Sequence, residues 1–191
     1  MKAVLINGSP RTGSNTGILL GHVAEVLTAE GIDCQLEELR GKTIHGCIGC
    51  GACRKRQDAT CPTHQDDFGP ILAKMITADI IITGTPVYFG SATPELMALL
   101  DRAGYVSRGN GQLFSRKVGG PLAVARRAGH NFTYAQQIYW FTINDMIVPG
   151  STYWNIGFGG AAGSVSQDEE GVDTVKRFAL NCAWVAKRLH A

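Results

Sequence analysis

Short apolar runs alternate along the chain with longer stretches in which apolar residues return every three or four positions. Val4-Leu5-Ile6, ending at Asn7-Gly8, predicts a parallel strand buried on both faces. Asn15 or Thr16 caps a predicted helix that continues to about Ala29, with Ile18, Leu19, Val23, Val26 and Leu27 as its apolar stripe. Cys34 to Leu39 predicts a second strand. Residues 41–67 predict a long irregular insertion, rich in Cys and Gly, and a loop of that length inside a domain is usually functional. Phe68 to Ile76 predicts a helix, and Ile80-Ile81-Ile82 a third strand over Asp79 to Gly84. A helix follows Pro94, which suits a first turn. Pro121 to Ala125 predicts the fourth strand within Lys117 to Arg126, Thr133 to Asn144 an aromatic helix, and Met146-Ile147-Val148 the fifth strand. Glu170 to His190 closes the pattern with Val172, Val175, Phe178, Ala179, Cys182, Val185 and Leu189 at helical spacing. Strand alternating with helix five times predicts an α/β fold, a doubly wound five-stranded parallel sheet with a Cys-rich loop insertion. No repeat or linker interrupts it, so residues 1–191 read as a single domain.

Composition narrows the function. The chain carries 18 Lys+Arg against 16 Asp+Glu, a net charge of +2, which is too small to argue for nucleic acid or an anionic membrane as partner. No apolar run approaches the ~18 residues of a membrane span. Met1 to Gly8 reads as core strand and not as a secretory signal, so the expected compartment is the cytoplasm. Disulfides are rare there, and the clustering of four of the six cysteines then suggests metal or redox chemistry.

Three segments carry candidate chemistry. The turn after the first strand, Asn7 to Thr16, leads into a helix N-terminus with its free N–H groups and partial positive charge. Ser9, Thr12, Ser14, Asn15 and Thr16 add short donors and Arg11 a charge, a set that suits a phosphate monoester. The segment is neither GxGxxG nor GxxxxGK[ST], so dinucleotide and triphosphate fingerprints are absent. The plainer alternative is a polar loop that only caps a helix. After the third strand, Pro86, Val87, Tyr88, Phe89 and Gly90 offer a flat apolar wall with room for close backbone approach; a tight turn with two core aromatics is the alternative. Arg126 and Arg127, after the fourth strand, are placed to stabilise a negative ligand or else to sit on the surface. His130 is equally open. Gly150 to Trp154 is a further candidate lining segment, or a buried contact for Tyr153 and Trp154.

The third segment holds Cys47, Cys50, Cys53 and Cys61, spaced x2, x2 and x7. Cysteines at x2 intervals wrap a corner of a cubane. Zinc sites more often use two separated Cys pairs, and free thiols on a loop are the remaining alternative. His45 and His64 flank the cluster as spare ligands or as solvated residues. Cys182 falls on an apolar helix stripe and Cys34 in a strand, which suits packing.

Val-Leu-Ile-Asn-Gly-Ser-Pro-Arg with Ser14-Asn15-Thr16 resembles the FMN phosphate loop of the NAD(P)H-dependent FMN reductase family, a flavodoxin-like group. Thr-Pro-Val-Tyr-Phe-Gly, Ala-Arg-Arg-Ala-Gly-His-Asn and Ile-Val-Pro-Gly-Ser-Thr-Tyr-Trp are similar to segments of that family. The cysteine spacing resembles its iron–sulfur flavoprotein subgroup, with the x7 gap at the long end of the pattern. The resemblance implies a flavodoxin-like fold that binds FMN, and a [4Fe–4S] cluster on the four cysteines. It implies a redox enzyme with FMN as the reacting group, a ferredoxin or NAD(P)H as donor, and a homo-oligomer, dimer or tetramer; the aromatics Phe132, Tyr134, Tyr139, Trp140 and Phe141 exceed what one helix face needs and offer a contact surface, or else pack in the core. An FMN or quinone reductase without a cluster is the second reading, and a non-enzymatic binding module with a zinc-stabilised loop the third.

Overall fold

A computed structural model describes residues 1–190. Five parallel strands form one sheet in the order β2-β1-β3-β4-β5. They are β1 (Lys2–Asn7), β2 (Asp33–Glu38), β3 (Ile80–Pro86), β4 (Val118–Ala125) and β5 (Ile156–Phe158). The helices are α1 (Asn15–Ala29), α2 (Ala52–Arg56), α3 (Phe68–Thr77), α4 (Pro94–Gly109), α5 (His130–Ile143) and α6 (Glu169–Leu189). The order 2-1-3-4-5 is that of flavodoxin-like doubly wound folds.

Side chains leave a strand alternately on its two faces, so each central strand feeds two cores. Ala3, Leu5, Ile80 and Ile82 meet α1 and α6, with Leu19, Leu20, Val23, Phe178 and Cys182 fully buried. Val4, Ile6 and Ile81 meet α3, α4 and α5 through Phe68, Leu72, Leu96, Leu100 and Phe141. Each such aliphatic or aromatic side chain contributes about 1.5–3 kcal/mol on burial. At Gly119 on β4, a Cβ would stand 1.8 Å from the Ile81 carbonyl oxygen of β3. Only glycine fits there. The sheet edges are guarded: β2 is largely exposed and carries Glu37 and Glu38, and β5 has three residues.

The fifth strand is not where the apolar run places it. Ile147 makes one bridge, to Val118, and Met146–Val148 goes no further into the sheet. Ile156–Phe158 pairs with Ala123–Ala125 instead. The insertion also holds more order than expected, since α2 packs on α4. No helix among the described residues is long and apolar enough to cross a membrane.

Candidate functional site

The parallel strands end on one side of the sheet, and there the β1–α1 turn, the β3 end, the β4 end and the β5–α6 turn enclose a cleft of about 210 Å³. A hydrogen-bond chain sets the β1–α1 turn. Asn7 Oδ1 accepts from the Ser9 N–H at 3.0 Å, and Ser9 Oγ accepts from the Arg11 N–H at 3.3 Å. Ser14 caps α1: its Oγ accepts from the Gly17 N–H at 3.0 Å and from Asn7 Nδ2 at 3.3 Å. Thr93, at the head of α4, donates its hydroxyl to the Gly8 carbonyl at 2.8 Å and fixes the turn against the neighbouring layer.

Ser9, Arg11, Ser14, Asn15 and Thr16 all line this cleft, with Thr12 and Gly13. The N–H groups of Thr12 and Gly13 meet no acceptor among the described residues. Gly13 has φ +59°, a left-handed turn placed just before the N-terminus of α1, where free amides suit an anion. That fits a phosphate. Asn15 has a structural duty too: its Nδ2 donates to the Ala161 carbonyl at 2.8 Å and its Oδ1 accepts from the Val165 N–H at 3.4 Å, tying the β5–α6 turn to the cleft.

The other wall is Pro86, Val87 and Tyr88, with Val124, Ala125 and Arg126. Pro86 and Val87 are held in line with β4, where the Val87 N–H donates to the Val124 carbonyl at 2.8 Å. The expected residues Phe89 and Gly90 do not line it. They form the tip of a tight turn closed by the Tyr88–Ser91 bridge, with positive φ of 52° and 80°. Phe89 is fully exposed. Arg127 also stands outside, next to a neighbour that lines the cleft. His130 is buried, bonded through Nε2 to the Gly157 carbonyl at 3.0 Å and packed on Phe158, so its place is structural. Gly150–Trp154 is directed elsewhere: Ser151 donates to the Thr174 carbonyl, and Tyr153 and Trp154 border a separate hollow near Asp168 and Gly171. Gly159, Gly160 and Ala162 do line the cleft. The sequence signal for them is the glycine-rich Gly157-Phe158-Gly159-Gly160, next to a strand too short to stand out.

The four cysteines line a second pocket, together with Ile48, Thr63, His64, Arg102 and Tyr105. Cys47 and Cys50 are exposed, Cys61 is half-buried and Cys53 is buried on α2 against α4. The Thr63 hydroxyl, 3.2 Å from Cys50 Sγ, draws that thiol below its ordinary range, whereas burial pushes Cys53 up. The side chains do not stand as a closed ligand set: no three or more His, Cys, Asp or Glu groups among the described residues are placed to hold one metal ion.

A buried ion pair ties the loop to α4, beside the bonds that Gln57 and Ala59 make to Gly109 and Asn110 at the end of that helix. Arg102 on α4 donates through Nη1 to Asp66 Oδ2 at 2.5 Å and to the His45 carbonyl at 3.2 Å. Both side chains are 1 % exposed. Burial disfavours the Asp66 carboxylate, but the His45 N–H and the Arg102 guanidinium outweigh it and pull its pKa down to about 2. His45 stacks on His64 at 4.7 Å. Arg102 Nε and Nη2 and His64 Nε2 are buried without a partner. Three orphaned nitrogens beside four sulfur atoms fit an anionic sulfur-ligated group in this pocket.

Sheet order and a cleft at the strand ends define a flavodoxin-like α/β protein. The family profile described as NADPH-dependent FMN reductase matches residues 1–161, and the chain belongs to that family. An iron-sulfur flavoprotein of Methanocaldococcus jannaschii is 39 % identical over 194 residues, covering 98 % of each chain. One from Methanosarcina thermophila is 35 % identical over 182 residues, covering 94 % of this chain and 92 % of that one. Among solved structures, RosB with bound 8-demethyl-8-formylriboflavin-5'-phosphate matches at TM-score 0.77 and 19 % identity, over 100 % of this chain and 80 % of that one. An archaeal flavodoxin matches at TM-score 0.63 and 12 % identity, over 98 % and 99 %.

Proposed function

We propose that this FMN-dependent oxidoreductase is an electron-transfer protein whose Cys47, Cys50, Cys53 and Cys61 hold a [4Fe–4S] cluster. One observation carries the reading: four cysteines spread over fifteen residues converge on a single pocket with unpartnered buried donors. The names of the relatives support it. FMN when bound supplies hydride and single-electron chemistry, and a cluster supplies single-electron chemistry. The chain's own part is to bind and orient. The Thr12 and Gly13 amides and Arg11 take the phosphate, and Pro86, Val87 and Tyr88 wall the ring.

The reading includes a homo-oligomer. Thr93 touches the phosphate turn, and Tyr105, beside Cys53, lies twelve residues further along α4, about 18 Å away. A second copy shortens that path if the cysteine pocket of one chain faces the cleft of another. Phe132, Tyr139 and Ile143 form an exposed stripe on α5 that suits such a contact. A ferredoxin-like carrier or NAD(P)H supplies the electrons.

The second reading, an NAD(P)H-dependent FMN or quinone reductase without a cluster, is favoured by the open arrangement of the four thiols. Anaerobic purification with FMN, iron, zinc and sulfide assays on the same sample decides between them. The cluster reading expects one FMN with about four irons per chain, and Cys50→Ser without iron but with FMN retained. Flavin without iron in the wild type overturns it in favour of the second.

A further inference from the structure

Arg102 is the largest side chain buried at under 2 % exposure, and its placement leaves half of it unused. Nη1 is committed to Asp66 and to the His45 carbonyl. The Phe68 ring covers one face of the guanidinium, 4.0 Å from Cζ, which restrains the fork. Nε and Nη2 make no bond of full geometry to the chain, and Cys61 is a side chain that stands against the guanidinium. Leaving N–H groups of a buried cation unpaired is costly, because they lose water and gain no acceptor. A clasp between α4 and the insertion needs only the Nη1 side, so the loop tether explains one edge of the fork and not the other.

The free groups belong to a residue that lines the cysteine pocket. Cys61 stands near enough to favour the charged guanidinium. Four thiolates make any cluster they hold anionic, and reduction adds a further negative charge. A buried cation with two N–H donors therefore stabilises the reduced cluster more than the oxidised one, and hydrogen bonds to the sulfurs act in the same sense. Arg54, Lys55 and Arg56 on α2 are exposed, where water and salt screen them.

Resting on the cluster reading, we propose that Arg102 donates Nε–H and Nη2–H to the sulfur atoms of the cysteine pocket and raises the reduction potential of the cluster. The residue anchors the loop with one edge and tunes the bound group with the other.

The test is a redox titration of the anaerobically reconstituted full chain, followed by electron paramagnetic resonance, for the wild type, Arg102→Gln and Arg102→Lys. Arg102→Gln is expected to lower the equilibrium constant for one-electron reduction of the cluster at least tenfold, about 59 mV, with the FMN potential unchanged. Arg102→Lys is expected to recover part of that shift through its charge. A loaded Arg102→Gln protein whose cluster titrates like the wild type overturns the proposal and leaves the cluster reading standing. If neither variant holds iron, wild-type protein labelled with guanidino-¹⁵N arginine decides. A ¹⁵N coupling to the reduced cluster in electron spin echo spectra supports the proposal, and its absence overturns it. A wild type that takes up no iron or sulfide removes the cluster reading and this inference together.

Discussion

The walls of the strand-end cleft are the ends of four elements of the sheet, whereas the cysteine pocket has one regular wall of length, α4, and a loop laid over it. The cleft is set by strand register, by the Ser14 cap and by the Asn15 and Thr93 cross-links, many small contacts on a rigid frame. The pocket depends on the buried pair Asp66–Arg102, on the bonds that Gln57, Ala59 and Cys53 make at the end of α4, and on a few bonds within the loop. A site framed by a sheet is organised before its ligand arrives. A site hung on an insertion keeps unpaired donors until something fills it.

The largest effect breaks both regions at once. Gly119→Ala drives a Cβ into the Ile81 carbonyl, so the sheet parts between β3 and β4. Loss of the cooperative unfolding transition by circular dichroism is the expected outcome, consistent with ΔΔG above about 4 kcal/mol. Next, Asp66→Asn leaves the Arg102 charge buried and unpaired, a cost of about 3–5 kcal/mol. Hydrogen exchange is expected to rise across residues 43–67 and to stay unchanged in the phosphate turn. The wild-type loop has a matching acid dependence. The folded Asp66 carboxyl titrates at about 2 against an ordinary 3.8, so its stabilisation is complete above about pH 4 and is lost as pH falls towards 2. Asp66→Asn should flatten that dependence.

Smaller changes sharpen the cleft. Arg126→Ala is expected to weaken FMN binding roughly tenfold through loss of a charge-assisted contact, read by fluorescence titration, and Arg127→Ala to leave it within twofold. Equal effects would mean that the strand-end register does not select between the two neighbours. The smallest is Ser14→Ala. Loss of the cap costs about 1 kcal/mol and lowers Tm by roughly 2–4 °C, with the cysteine loop unaffected.

Much of this was legible in the residues, and unevenly so. β1, β3 and α6 announce themselves because buried parallel strands are continuous apolar runs and a buried helix face repeats every three or four residues. The phosphate turn is legible because it follows such a strand directly. Met146-Ile147-Val148 misleads because β-branched runs signal burial and not ladder pairing; it packs near Val118 and leaves the sheet after one bridge. The actual edge strand, Ile156-Gly157-Phe158, is short and carries a glycine, so it does not read as a strand, and only the run of glycines marks the Gly159, Gly160 and Ala162 lining that follows. Arg102 looks like any polar residue on a helix. Its role depends on Asp66, 36 positions earlier, and on a fork whose two edges face different neighbours.

Helix α4, 16 residues and about 24 Å long, touches the phosphate turn with its first residue's cap and the cysteines with its middle turns. It acts as a ruler graduated in residues. Adding one residue between Thr93 and Arg102 rotates everything beyond it by about 100°, which turns Arg102 and Tyr105 away from the loop while the phosphate turn keeps its cap. Insertions and deletions should therefore be far rarer within this helix than in the cysteine loop it supports, where length can vary so long as the sulfurs still reach the same wall.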